Sequence, residues 1–240
     1  MKNIIVAGAL ASGFCVGAAS AAELTGGYFD LGYSTFTDSD NGSKFYGAGS
    51  GELGFTRNFS VQADVGVYRF DEISETGYNG TLHAIFHTND NLSLGAFYNR
   101  DDLDGDNDSN TYGIEAGYEV GAIGLEGYVS RIDFVDADSD DGTLLGVRID
   151  GEVAPLFTLS ASVDYLNGPS DIDLTRVSLG ADYNLGEGAH IYGEVGSAKV
   201  ELGGLSDSEA FVAAGIRLNF GAKRGTTFGR RGLLDKLPGA

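Results

Sequence analysis

The residues of this chain that could do chemistry are mostly carboxylates. Glu52, Asp64, Glu115, Glu126, Asp150, Asp164, Asp182 and Glu194 recur along it, with Arg148, Arg176, Arg217 and His83 interspersed. Glu119, His87 and His190 extend the same set. Each of these residues lies in a segment where apolar and polar residues alternate. Gathered around one aqueous space, rings of carboxylates attract cations. The structural reading of the same residues is a network of internal salt bridges that fills the space.

Three other patterns suggest more specific chemistry, and each breaks down on inspection. "GSGELG" (Gly49 to Gly54) has the glycine spacing of a dinucleotide loop. That loop needs a strand before it and a helix after it. Here the next residues are "FTRNFSVQADV", a turn and another alternating segment. "DLDGDND" places Asp102, Asp104, Asp106 and Asp108 at calcium-loop intervals. The sixth place of such a loop needs glycine and the twelfth a bidentate glutamate. Here they are Asn107 and Gly113, which leaves only weak, exposed divalent-ion association. His83 and His87 could serve as a base beside a nucleophile, but no serine near them has a matching acid in a recognisable pattern. Neither catalysis nor a cofactor is expected.

The elements that must position the carboxylates have a period of two. In "LFTLSASVDY", Phe157, Leu159, Ala161, Val163 and Tyr165 share one face, and Thr158, Ser160, Ser162 and Asp164 the other. "SVQADVGVYRF" and "RVSLGADYNL" behave alike. That alternation is the mark of a strand, and 38 glycines would not suit long helices. Twelve such segments lie near 24–36, 44–56, 60–70, 78–88, 92–100, 111–120, 122–134, 143–153, 157–167, 174–185, 189–199 and 208–220. Each is close to the ~9–11 residues a tilted membrane strand needs. The links alternate too. After even-numbered segments they are tight ("RN", "NDN", "G", "APL", "GEG"), and after odd-numbered ones longer and polar, as in "RDDLDGDNDSN" and "DADSDDG". The prediction is all-β: a transmembrane antiparallel up-and-down barrel of about twelve strands.

The ends agree with export. Lys2, the apolar run from Ile4 to Gly17 and the small residues Ser20, Ala21 and Ala22 have the layout of a secretory signal peptide over 1–22. The single cysteine, Cys15, lies inside that run, so the mature chain has no disulfide and no thiolate metal site. The formal net charge of −20 excludes nucleic acid as a partner.

Signal peptide, even strand count, turn asymmetry, abundant Tyr and Phe, and a last strand with Val212, Ala214, Ile216, Leu218 and Phe220 on one face resemble the porins and small porin-like barrels of Gram-negative bacteria. The resemblance covers about 23–220. It implies the outer membrane, a surrounding of lipid and lipopolysaccharide, and assembly machinery that reads the strand ending at Phe220. It also implies a passive channel for small hydrophilic solutes and admits a homo-oligomer. The acidic inner face adds a preference for cations. A non-conducting barrel whose acidic loops meet divalent ions is the alternative. Two features depart from the family: general-diffusion porins commonly have more strands, and their chains usually end on the final aromatic.

Here twenty residues follow Phe220. They carry Lys223, Arg224, Arg230, Arg231 and Lys236 against Asp235 alone. As a basic periplasmic tail (221–240) they have three fates open. They can be disordered, reach a partner through "RRGLLDKL", or fold back into the barrel mouth against carboxylates such as Asp182 and Glu194.

Overall fold

The computed structural model describes residues 22–38, 42–104, 108–135, 141–169, 172–221 and 226–238. The expected signal peptide and the tips of the long acidic links lie outside the described residues. Twelve strands succeed one another in chain order: β1 (Glu23–Phe36), β2 (Ser43–Gly54), β3 (Phe59–Phe70), β4 (Glu75–His87), β5 (Leu92–Leu103), β6 (Ser109–Val120), β7 (Ile123–Phe134), β8 (Asp141–Ala154), β9 (Phe157–Asn167), β10 (Ile172–Gly186), β11 (Ala189–Leu202) and β12 (Leu205–Phe220). A single helical turn, α1 (Leu233–Lys236), comes after them.

Every neighbouring pair is antiparallel, and β1 pairs with β12 to close the barrel. The closing register runs from Gly27 opposite Phe220 to Phe36 opposite Phe211. Closure satisfies the backbone N–H and C=O groups of β1 and β12, which would otherwise be two open edges.

The alternation sorts the two faces as the sequence proposes. Phe29 (62% exposed), Ile114 (63%) and Leu179 (62%) point outward, while Asp30, Glu115 and Ser178 beside them are buried within the barrel. Outward aromatics gather in two belts. Tyr33, Phe45, Tyr78, Tyr98 and Tyr112 lie toward the long-link end of β1, β2, β4, β5 and β6; Phe59, Phe86, Tyr118, Tyr183 and Phe220 lie toward the short-turn end of β3, β4, β6, β10 and β12. Two such girdles around an apolar band are what a barrel in a bilayer presents.

The strands run two or three residues further than the alternation at the long-link end. β4 begins at Glu75, β10 at Ile172 and β12 at Leu205. The sequence reads "GLSD" as a polar loop. In the structure Ser206, Asp207 and Ser208 pair with Glu201, Val200 and Lys199, and only Gly203 and Gly204 turn the chain. Both glycines have positive φ (55° and 88°), which a tight two-residue hairpin turn requires. Beyond the bilayer a ladder needs no apolar face, so polar residues extend it without showing a period.

Placing a cation on the outer band tests which face meets lipid. Leu179→Arg, at the middle of β10, should destabilise the barrel by ~2–4 kcal/mol, and Leu205→Arg, at the rim, by ~0–1 kcal/mol. Reversible urea unfolding in lipid vesicles measures both.

Candidate functional site

The lumen is divided between a packed half and an open half. The packed half is filled by residues 226–238, which enter at the short-turn end and climb toward the long-link end. The backbone N–H of Thr227 donates to Glu52 Oε2 (2.8 Å), near the short-turn end of β2. Gln62 then brackets Phe228: its Nε2 donates to the Phe228 carbonyl (2.7 Å), and its Oε1 accepts the Phe228 N–H (3.1 Å). Higher up, Asp101 near the far end of β5 accepts the N–H groups of Leu233 (2.9 Å) and Leu234 (3.4 Å), which the first turn of α1 leaves unpaired. Lys44 donates to the carbonyls of Leu234 (2.8 Å) and Leu237, and Ser34 to that of Pro238.

Arg231 is the centre of this segment. Its Nε donates to Glu115 Oε2 (2.8 Å) and its Nη2 to Glu126 Oε1, while the guanidinium lies 4.5 Å from the Tyr128 ring centre. The side chain is 3% exposed. Burial opposes its charge, but Glu126 and Glu115 outweigh burial and hold the group well above the usual arginine range. Arg230 likewise is opposed by burial and held up by Asp235, 2.9 Å from its Nε. For Asp235 burial again works against the charge, yet Arg230 and a hydrogen bond from the Tyr68 hydroxyl (2.6 Å) keep it below the usual carboxylate value.

Behind the tail four of the twelve candidate residues are sealed. Glu52, Asp64, His83 and Glu115 are all 5% exposed or less. His83 joins Asp64 (2.8 Å) to Glu115 (2.7 Å), and the Phe228 ring stacks on its imidazole. The other eight, Glu126, Arg148, Asp150, Asp164, Arg176, Asp182, Glu194 and Arg217, line a cavity of ≈ 530 Å³ bounded by β1–β3, β6–β12 and the tail. They lie there as pairs. Arg176 bonds Glu194 (2.5 Å) and Asp164 (3.2 Å), Arg148 faces Asp150 (3.6 Å), and Asp182 meets His190 (2.6 Å).

The sequence set the tail's cations against Asp182 and Glu194. Instead Asp182 bonds His190 and Glu194 bonds Arg176, strand to strand, so both already have partners. The deeper Glu115 and Glu126 take Arg231. Lys223 and Arg224 lie outside the described residues. Asp30, Lys44, Gln62 and Asp101 were not among the candidates. Asp30 was legible: it alternates with Tyr28 and Gly32 on the inner face of β1, and it binds Arg217 (2.9 Å).

The long-link end of the lumen is apolar. Ile132, Leu144, Leu166, Leu174 and Ala198 form one buried cluster, and Tyr68, Phe70 and Leu234 a second. Leu237 packs against both, so apolar contact crosses the lumen from β3 to the β7–β11 wall.

A sequence model of Gram-negative porins matches residues 68–201, more than half of the chain. The chain belongs to this porin family. Membership places the barrel in the outer membrane as a channel for small solutes. No curated protein matches the sequence. Solved porins share the fold at low identity. A KdgM porin is 14% identical, with a TM-score of 0.59 over 80% of this chain and 99% of its own. An outer-membrane channel from Pseudomonas putida F1 is 11% identical, with a TM-score of 0.61 over 85% of this chain and 100% of its own. A NanC porin is 9% identical, with a TM-score of 0.61 over 80% and 98%.

Phe228 is the apolar anchor of the tail, 1% exposed. Phe228→Ala should weaken docking of the tail by ~3–5 kcal/mol. Trypsin should then cut after Arg230 and Arg231 in the folded barrel, whereas the native tail resists, and heat-modifiable migration on gels should be unchanged.

Proposed function

We propose that this porin is a passive channel that favours small hydrophilic cations, and that its C-terminal segment narrows the lumen at rest. One observation carries the reading: the charge of the cavity wall. The strands supply seven carboxylates to it (Asp30, Glu119, Glu126, Asp150, Asp164, Asp182 and Glu194) against Lys44, Arg148, Arg176 and Arg217. The tail adds Arg230, Arg231 and Lys236 with Asp235, which brings the wall close to neutrality. The surplus of negative charge therefore belongs to the barrel, and the compensation belongs to the tail.

A neighbouring KdgM porin was solved with disordered oligogalacturonate. A polyuronate is an anion, and a lumen with surplus carboxylates repels it, so that ligand is not carried over. The apolar contact across the long-link end favours a second reading, a barrel that never conducts. Assembly through the strand ending at Phe220, with the tail added afterwards, fits the first.

Planar-bilayer recording separates the two readings. The native chain should show small or infrequent openings. Leu233→Ser, Leu234→Ser and Leu237→Ser together should raise conductance, and potassium should pass in preference to chloride. The chain cut after Phe220 should do the same and gain selectivity, since three cations leave the wall and only one carboxylate, Asp235, leaves with them. Anion preference, or silence of all three proteins, would reject the cation channel.

A further inference from the structure

The Arg231 guanidinium occupies a seat that the barrel itself builds. Glu115 and Glu126 lie on neighbouring strands and approach it from two sides, and Tyr128 and Phe97 provide ring faces 4.5 and 5.8 Å from its centre. Two carboxylates in a fork with flat aromatic walls match a planar, five-donor cation far better than a compact ammonium. The occupant comes from a segment that lies beyond the closing strand and forms no ladder with it. Glu126 also lines the open cavity, so a solute there reaches the same carboxylate that Arg231 holds. Beside it the tail fits imperfectly: among the described residues, Arg230 Nη1 and Thr227 Oγ1 are buried without hydrogen-bond partners.

We propose that Glu115, Glu126, Tyr128 and Phe97 form the solute-binding constriction of this porin, selective for guanidinium-bearing cations, and that Arg231 is a built-in competitor for it. This rests on the reading of the barrel as a cation channel. The tail copies the cargo: it neutralises the seat at rest, and a free guanidinium solute competes with it for Glu126 and then Glu115.

Full-length protein tests this, with methylguanidinium as probe and methylammonium as control. Calorimetry in detergent should show methylguanidinium binding to Arg231→Ala about tenfold more tightly than methylammonium does, because a planar guanidinium can donate to both carboxylates at once in a fixed geometry. Arg231→Lys, which keeps the charge and guards against misfolding of the first variant, should bind methylguanidinium with intermediate strength. Adding Glu126→Gln to either should abolish the preference. In bilayers, methylguanidinium should raise the open fraction of the native channel at a concentration where methylammonium does not. Equal binding of the two probes, or a preference that survives Glu126→Gln, would overturn the site. A native channel that opens but answers both probes alike would overturn the competitor role of Arg231. Electrical silence of all variants would count against the channel reading alone, because the calorimetric preference still decides the seat.

Discussion

Everything in this molecule stems from one requirement: within a bilayer, each backbone N–H and C=O must find its partner inside the chain. Twelve antiparallel strands meet it only when β1 and β12 join, from Gly27–Phe220 to Phe36–Phe211. Once the ladder is closed, side chains have two destinations. Those turned outward meet lipid, where a charge is costly. Those turned inward meet one another across a shared space. The acidic chain therefore concentrates its carboxylates where they repel each other most strongly.

Two devices relieve that repulsion, and they differ in kind. On the β7–β12 side the relief is mostly local. Arg176 serves Asp164 and Glu194, and Arg217 serves Asp30; from the described tail residues only Lys236 joins them, 3.4 Å from Asp164. The arginine pairs join neighbouring strands and are as permanent as the ladder. On the β2–β7 side the partner is Arg231, which arrives on a separate segment. Removing one member of a buried pair costs ~3–5 kcal/mol, because the other charge is left stranded. The tail is thus held by strand side chains that bond its backbone and its arginines, whereas the strands are held by a continuous ladder.

The apolar residues inside the long-link end give the lumen a direction. Ile132, Leu144, Leu166 and Leu174 would be an uncovered hydrophobic patch in a water-filled tube. Leu233 and Leu237 cover them, while Leu234 packs on Tyr68 and Phe70. The lumen is lined by apolar side chains where the tail ends, and by polar ones beside the place where it enters. The barrel and its tail are complementary in charge at mid-height and in hydrophobicity at the far end, as a receptor and its ligand are.

The sequence by itself determined the strands and their faces. A period of two leaves no choice: Phe157, Leu159 and Ala161 go one way, Thr158, Ser160 and Ser162 the other; link length was a weaker guide, since the β11–β12 link is a two-glycine turn. It therefore also determined that the carboxylates turn inward. It did not determine who meets whom. Pairing across a lumen depends on strand register and tilt, which no local pattern encodes, so Asp182 and Glu194 could not be told apart from Glu115 and Glu126 as partners for the tail. Inward Leu144 stayed hidden beside outward Leu145, since two adjacent apolar residues show no alternation. The fate of residues 226–238 was decided by tertiary structure alone. Their arginines and leucines have no periodicity to read, and they acquire a place only once the closed barrel brings Glu115, Glu126 and the apolar end together around them.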